Sequence, residues 1–166
     1  IYTLVLGCMA ILGSGAIEAP QASEFSNDAP KVAVVDRDGS ELSAALKDFA
    51  LKDAVEVHVE DSTFALQDAA AKDLASYVLI IPEGFQEGLV EAAHSGADAP
   101  TLETVVSYQG ARGALMDQRV KAYVQSLYGF ASVDAQASAR DAANNATAAC
   151  GDETPVELFS VDSEGL

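Results

Sequence analysis

Segments with a strand-like hydrophobic pattern alternate along the chain with segments whose hydrophobic residues recur at helical spacing. Residues 31–36 (KVAVVD) form a short apolar run rich in β-branched side chains, which is typical of a buried strand. Residues 40–52 then place leucine, alanine and phenylalanine at helical spacing, which predicts an amphipathic helix. Residues 54–60 (AVEVHVE) alternate valine with charged residues and His58, so they predict a half-exposed strand with His58 on the surface.

The alternation continues through two more strands. Residues 63–74 predict a second helix, and residues 85–94 predict a third. Between them, residues 75–82 (ASYVLIIP) are strongly apolar, which predicts a central strand that ends at a proline. Residues 101–108 (TLETVVSY) predict the fourth strand. The residues that we expect in the core of these elements are Val34, Val35, Leu46, Val78, Leu79 and Ile80.

A long stretch without a strand pattern, residues 111–149, predicts a helical insert. Its apolar side chains form a helical stripe over residues 115–128, so we expect two helices or one broken helix, with Gly129 near the break. Residues 155–161 (PVELFSV) predict a last strand. The order β-α-β-α-β-α-β, a helical insert and a C-terminal strand predicts an α/β fold, with a largely parallel sheet covered by helices.

The first part of the chain differs from the rest, because residues 1–17 are apolar and uncharged. We expect the outer end of a transmembrane helix, since the run reaches the lower length limit for spanning a bilayer. Two alternatives stay open: a buried helix, or a signal-peptide remnant in which Cys8 of the segment VLGC would carry lipid. The polar residues 18–30 contain two prolines and predict a linker. Residues 31–166 then form the folded domain.

Charge excludes one class of function and disfavours another. Nine Lys and Arg residues against 26 Asp and Glu residues give a net charge of −17, which repels a phosphate backbone, so nucleic-acid binding is not expected. Binding to an anionic lipid surface is disfavoured for the same reason. Cys8 and Cys150 are not expected to pair, and neither His58 nor His94 has a second ligand at metal spacing. We therefore predict no metal and no cofactor.

The segment VAVVDRDGS, residues 32–40, matches the first motif of the haloacid-dehalogenase phosphatases. In that interpretation Asp36 is the nucleophile and Asp38 is the general acid. However, no lysine and no later acidic pair follow the other strands, as such an enzyme requires. The structural alternative is that Asp38 caps the following helix while Glu41 reaches back, with Ser40 as the rival cap.

Two segments at a characteristic spacing resemble the extracytoplasmic domain of ABC-2 type transporter permeases. The first is KVAVVDRDGSELSAAL, in which an apolar strand ends in an Asp-x-Asp turn before a helix that contains serine. The second, about forty residues later, is SYVLIIPEGFQEGL, in which an apolar strand enters Ile-Pro-x-Gly-Phe. The residues that carry the resemblance are Asp36, Asp38, Ser43, Ile81, Pro82, Gly84 and Phe85.

The resemblance implies a domain between the first two transmembrane helices of an exporter, on the extracytoplasmic side of a bacterial cell membrane. It assigns no catalytic residue and implies two partners, a separate ATP-binding subunit and a second permease subunit. Phage-infection-protein-like relatives share much of the pattern, and residues 111–149 cannot be matched to the family residue by residue. The first basic residue, Lys31, comes only after the apolar segment and linker, which also favours the outer side. The alternative functions are a membrane-anchored, lipoprotein-like binding module and the phosphatase.

Overall fold

The computed structural model describes residues 29–109, 111–133 and 138–151. The predicted apolar segment at residues 1–17, most of the linker at 18–30 and the predicted strand at 155–161 lie outside these residues. Within them the elements are β1 (Lys31–Asp36), α1 (Glu41–Leu51), β2 (Val55–Glu56), α2 (Thr63–Ala71), β3 (Tyr77–Ile81), α3 (Phe85–Ser95), β4 (Glu103–Val106), α4 (Ala111–Val133) and α5 (Ala139–Gly151).

The strands form one four-stranded sheet in the order β2-β1-β3-β4. β1 pairs in parallel with β2 and with β3, and β3 lies inside the sheet as predicted. The α/β fold class is thereby confirmed. The sheet is nevertheless mixed, because β4 is antiparallel: Glu103 lies beside Ile80, and Val106 lies beside Tyr77. An alternating pattern identifies a strand but carries no information on its direction, so the sequence could not predict this reversal.

The two faces of the sheet are covered unequally. On one face, side chains of β1 and β3 pack against α1, α3, α4 and α5 in a large core cluster. On the other face, Ala33, Val78 and Ile80 pack mainly against Leu66 and Ala69 of α2. The larger cluster also contains a stacked pair of rings that joins α1 to α4. In that pair the ring centroids of Phe49 and Tyr123 lie 4.2 Å apart.

Burial agrees with most of the predicted core and corrects part of it. Leu46, Val78, Leu79 and Ile80 are buried, as expected for the inner strand and the inner face of the first helix. Val34 and Val35 are only half-buried. Val35 lies on the face that α2 covers, whereas Val34 lies at the margin of the larger cluster. A sequence pattern shows that a strand is buried, but not how far the covering helices extend along it.

The helical insert contains two helices, as expected, and Gly129, which was expected near the break between them, lies inside the first helix, four residues before its end. α4 runs without interruption from Ala111 to Val133, and Gly129 lies inside it. A glycine inside a helix costs about 1 kcal/mol relative to alanine. The buried neighbours Leu127 and Ala131 hold this part of α4 against the core, which offsets such a cost.

The second strand is shorter than predicted. Only Val55 and Glu56 form β2, although the N–H of Val57 also donates to the carbonyl of Val32 at 2.9 Å. His58 is exposed, as the alternation predicted.

Candidate functional site

The two motif segments meet at one edge of the sheet. β1 and β3 are parallel neighbours, and their last residues, Asp36 and Ile81, are paired in register. The turn that follows β1 therefore lies beside the turn that follows β3. The N–H of Arg37 donates to the carbonyl of Ile81 at 3.0 Å, which continues the ladder into the first turn.

The carboxylate of Asp36 organises the first turn. Its Oδ1 accepts from the N–H groups of Asp38 and Gly39, each at 3.0 Å, and its Oδ2 accepts from the hydroxyl of Ser43 at 2.9 Å. Gly39 has φ of +64°, a backbone conformation that glycine adopts without strain. Ser43 is fully buried, so its hydroxyl depends on these protein partners. Asp36 thus holds the loop and the first turn of α1 in a single conformation.

Helix α1 begins at a capping box made by two serines. The Oγ of Ser40 accepts from the N–H of Ser43 at 3.1 Å, and the Oγ of Ser43 accepts from the N–H of Ser40 at 2.8 Å. Ser40, which was named above as the rival cap, is therefore the N-cap, and the interpretation in which Asp38 caps this helix while Glu41 reaches back is wrong. Glu41 instead pairs with Arg140 of α5 at 2.9 Å.

Asp38 caps a different helix, α3, whose first residue is 47 positions further along the chain. Its Oδ1 accepts from the N–H of Phe85 at 3.0 Å, and its Oδ2 accepts from the N–H of Gln86 at 3.2 Å and from the hydroxyl of Ser40. The N-cap position of α3 is Gly84, which has no side chain to donate or accept and has φ of +76°. A carboxylate at a helix N-terminus also interacts favourably with the helix dipole.

Gln86 of α3 makes a second hydrogen bond between the two helix starts, this time at the start of α1. Its Oε1 accepts from the N–H of Leu42 in the first turn of α1, at 3.1 Å. Asp38 before α1 therefore caps α3, and Gln86 in α3 helps to cap α1. We call this arrangement, formed by Asp36, Asp38, Ser40, Ser43 and Gln86, the reciprocal cap.

The structure brings the motif residues into this one region. Pro82 follows the end of β3 and is half-buried, and Phe85 is fully buried in the larger core cluster. Sequence reasoning missed Gln86, because its partner lies 44 residues away and no local pattern reports such a contact. The serine pair three residues apart, Ser40 and Ser43, was the available local signal for the true cap.

The two aspartates of the reciprocal cap act as hydrogen-bond acceptors for the surrounding chain. Every carboxylate oxygen of Asp36 and Asp38 accepts at least one hydrogen bond from the chain itself. Arg37, between them, forms two hydrogen bonds with Asp61, at 2.6 and 3.0 Å, which lower the pKa of the Asp61 carboxyl. In the part of the chain that the structure describes, no group of three or more His, Cys, Asp and Glu residues could hold a metal ion.

Comparisons of the chain with protein-family models, with curated proteins and with solved structures found no match. Among the helices of the described residues, none combines the length and the hydrophobicity that a membrane span needs.

Proposed function

We propose that this chain is the extracytoplasmic domain of the permease subunit of an ATP-driven ABC-2 type exporter, and that it is not an enzyme. The domain contributes to substrate passage or to subunit assembly. Its partners are the cognate ATP-binding subunit, which acts through the membrane part of the permease, and a second permease subunit. It lies on the outer side of a bacterial cell membrane and needs no cofactor.

One observation carries the non-enzymatic part of this proposal. The two aspartates that resemble a phosphatase motif are both engaged in the reciprocal cap, where they support the starts of α1 and α3. A nucleophilic carboxylate must approach the substrate phosphorus, and a general acid must reach the leaving group, whereas these two carboxylates are directed at the backbone of the helix starts. The Asp38 oxygens accept from two backbone N–H groups and a hydroxyl, which supports a structural role for this carboxylate at the start of α3.

The resemblance to the permease domain supports the exporter part of the proposal. The hydrogen bonds of the reciprocal cap explain why the two segments that carry the resemblance occur together. The two segments that carry the resemblance lie about forty residues apart in sequence. They make direct hydrogen bonds to one another, through Asp38 to the start of α3 and through Gln86 to the start of α1. When a side chain from each turn caps the helix that follows the other turn, both turns need particular residues. Two separated motifs are then expected to occur together.

The location is tested with a single cysteine at Ser95, which is exposed at the end of α3. Cys8 and Cys150 are replaced, and intact cells that produce the full chain are treated with a membrane-impermeant maleimide. Labelling of Ser95→Cys in intact cells is expected. A cysteine at Ser76, which is 7% exposed, is the matched control, because it reacts only after unfolding. Labelling of Ser95→Cys only in broken cells would contradict the proposal.

Two further measurements separate the alternatives. If the chain were held in the membrane by lipid on Cys8, Cys8→Ser would release it into the soluble fraction, whereas the permease proposal expects no release. If the chain were a phosphatase, purified protein would hydrolyse an aryl phosphate in the presence of magnesium, and Asp36→Asn would abolish the turnover. We expect no turnover with either protein, while Asp36→Asn lowers stability because it removes a carboxylate from the reciprocal cap.

A further inference from the structure

The described domain is joined to the rest of the chain from one end of its sheet. The parallel strands β1, β2 and β3 begin at this end, and the antiparallel β4 finishes there. The chain enters at Pro30, whose carbonyl accepts from the N–H of Val55 at 2.8 Å. It leaves α5 at Gly151, where an added Cβ would lie 3.7 Å from the Nζ of Lys52, the residue that caps the end of α1 before β2. We call this end of the sheet the base.

Three large apolar side chains are exposed on the base. Val55 begins β2, Leu74 lies three residues before β3, and Tyr108 lies two residues after β4. Val55 and Leu74 are about half exposed, and Tyr108 is completely exposed. The turns that carry Leu74 and Tyr108 are tied together, because the hydroxyl of Ser107 donates to Asp73 at 3.1 Å. Tyrosine combines an apolar ring with a polar hydroxyl and is enriched at surfaces where an apolar phase meets water.

The charge of the base is positive on balance, in contrast to the chain as a whole. The helix and strand ends that meet there carry four basic residues, Lys31, Lys52, Lys72 and Arg112. The turns between them contain two acidic residues, Asp53 and Asp73, and Asp68 of α2 pairs with Lys72. Lys31, Lys52 and Lys72 are all exposed.

The opposite end of the sheet is strongly acidic. Residues 37–41, 60–62 and 82–87 contain six acidic residues and one basic residue, Arg37. The net charge of −17 is therefore distributed unevenly along the strand direction. The whole-chain charge disfavours an anionic lipid surface, but it does not describe the base. Charges that lie more than about 10 Å from a surface are largely screened at an ionic strength of about 0.1 M.

We propose that the base is a docking surface for the headgroup region of a lipid bilayer, so that the domain stands on the membrane with the reciprocal cap directed away from it. Tyr108 and Leu74 lie among the headgroups, and the lysine side chains reach the lipid phosphates. The entry at Pro30 favours a bilayer as the occupant, because the apolar residues 1–17 precede it by a short linker. The proposal rests on the membrane attachment in the exporter proposal, but not on the ATP-binding subunit or the exported substrate.

Single tryptophans test the orientation, because the chain contains none. Tyr108→Trp places a tryptophan on the base. Phe64→Trp is the matched control, since Phe64 is 80% exposed in the first turn of α2, at the opposite end of the sheet. The full chain is incorporated into phosphatidylcholine and phosphatidylglycerol vesicles whose acyl chains carry bromine close to the headgroups, and the vesicles are collected by flotation. We expect bromine to quench and the bilayer to blue-shift the emission of Tyr108→Trp, with neither change in Phe64→Trp.

A charge variant tests the contact with lipid phosphate. The triple variant replaces three exposed lysines of the base, Lys31→Gln, Lys52→Gln and Lys72→Gln. Each basic residue near an anionic surface contributes a factor of about five to binding, so the docked population should fall about 100-fold and the quenching of Tyr108→Trp should be lost. The matched control removes the same charge away from the base, with Arg37→Gln, Lys121→Gln and Arg140→Gln, and should leave the quenching unchanged. All six positions are exposed, and circular dichroism checks that both variants fold.

Several results would overturn the proposal. Equal quenching of the two tryptophans would show that the domain has no preferred orientation, and quenching that survives the triple lysine variant would exclude the phosphate contact. A blue shift of Tyr108→Trp without quenching would assign the base to a protein partner. A chain that does not float with the vesicles would contradict both the docking and the membrane attachment. By contrast, a domain that Ser95→Cys labelling places outside the cell, but whose Tyr108→Trp stays unquenched, would remove this proposal and leave the exporter proposal in place.

Discussion

Two glycines of α4 should respond in opposite directions to the same substitution, to alanine. At Gly113 an added Cβ would lie 2.3 Å from the carbonyl oxygen of Ser76 and 2.7 Å from Cγ1 of Val106. Carbon atoms pack about 3.5 Å from their neighbours, so α4 would have to move away from the sheet by about 1 Å. The Ser76 oxygen cannot easily yield, because it accepts the N–H of Ser107 at 3.0 Å.

The change in the free energy of unfolding caused by Gly113→Ala follows from two opposing contributions. Forcing extra volume into a packed contact costs about 1–3 kcal/mol, and a fixed backbone atom favours the upper end of that range. Alanine in a helix recovers about 1 kcal/mol relative to glycine. Gly113→Ala should therefore lower the free energy of unfolding by about 2 kcal/mol. At Gly129 the added Cβ would meet no described atom within 4 Å beyond its chain neighbours and the backbone of its own helix. Gly129→Ala should therefore raise the free energy of unfolding by about 1 kcal/mol.

Urea unfolding followed by circular dichroism measures both changes, with the slope of the transition compared to check that the compactness of the unfolded state is unchanged. In a thermal scan, 2 kcal/mol corresponds to a fall of about 4–8 °C for a chain of this length. The close packing of α4 on β3 and β4 would be refuted by a Gly113→Ala protein as stable as the parent. A large loss of stability in Gly129→Ala would show that α4 does not continue through this position as a regular helix.

Three further predictions concern side chains described above. Asp38→Ala should lower the free energy of unfolding by about 2–3 kcal/mol, because two helix N–H groups and a hydroxyl lose their acceptor. Asp61→Ala, which removes only an exposed ion pair, should change it far less in the same urea titration. Ser43→Ala should lower the free energy of unfolding by about 1–3 kcal/mol, since the half-buried N–H of Ser40 and the Asp36 carboxylate each lose a partner. A value near zero would contradict the capping box. Because the pKa of Tyr77 is raised, the folded chain retains a proton that the unfolded chain loses near pH 10. The contribution of Tyr77 to stability is therefore full below that pH and falls as the pH rises above it. Tyr77→Phe should flatten this decline in unfolding curves measured at alkaline pH.

Local periodicity was sufficient to predict the elements that carry the fold. The apolar runs at β1 and β3 and the helical spacing of α1 and α3 each lie within a few residues of the observed bounds. The errors arose where the deciding contact is not local. Gly129 was expected near a break because glycine weakens an isolated helix, but packing of α4 on the core outweighs that preference.

At the candidate site, too, the residues with a local signal were predicted and the contacts between distant residues were not. The motif residues were identified, but Asp38 was assigned to the helix that follows it, because a sequence shows only neighbours along the chain. Its actual partners, Phe85 and Gln86, are set by the pairing of Asp36 with Ile81 in adjacent strands. The cleft beside α4 that Tyr77 and Asp117 help to line had no sequence signal, since Tyr77 belongs to a strand and Asp117 to a helix, and only the fold brings them together.

The reciprocal cap also has a consequence for the order in which the chain is expected to fold as it emerges from the ribosome. α1 is synthesised first, but the acceptor for its Leu42 N–H is Gln86, which appears 44 residues later. α3 in turn begins only where the Asp38 carboxylate is already in place. Neither helix start has all of its hydrogen bonds in a shorter nascent chain, so we expect native structure in this half of the domain to form in one cooperative step, after β3 and the first turn of α3 have emerged. A stalled chain that stops before Pro82 should therefore remain sensitive to protease, whereas one that extends past α3 gains protection in β1, α1 and β3 together.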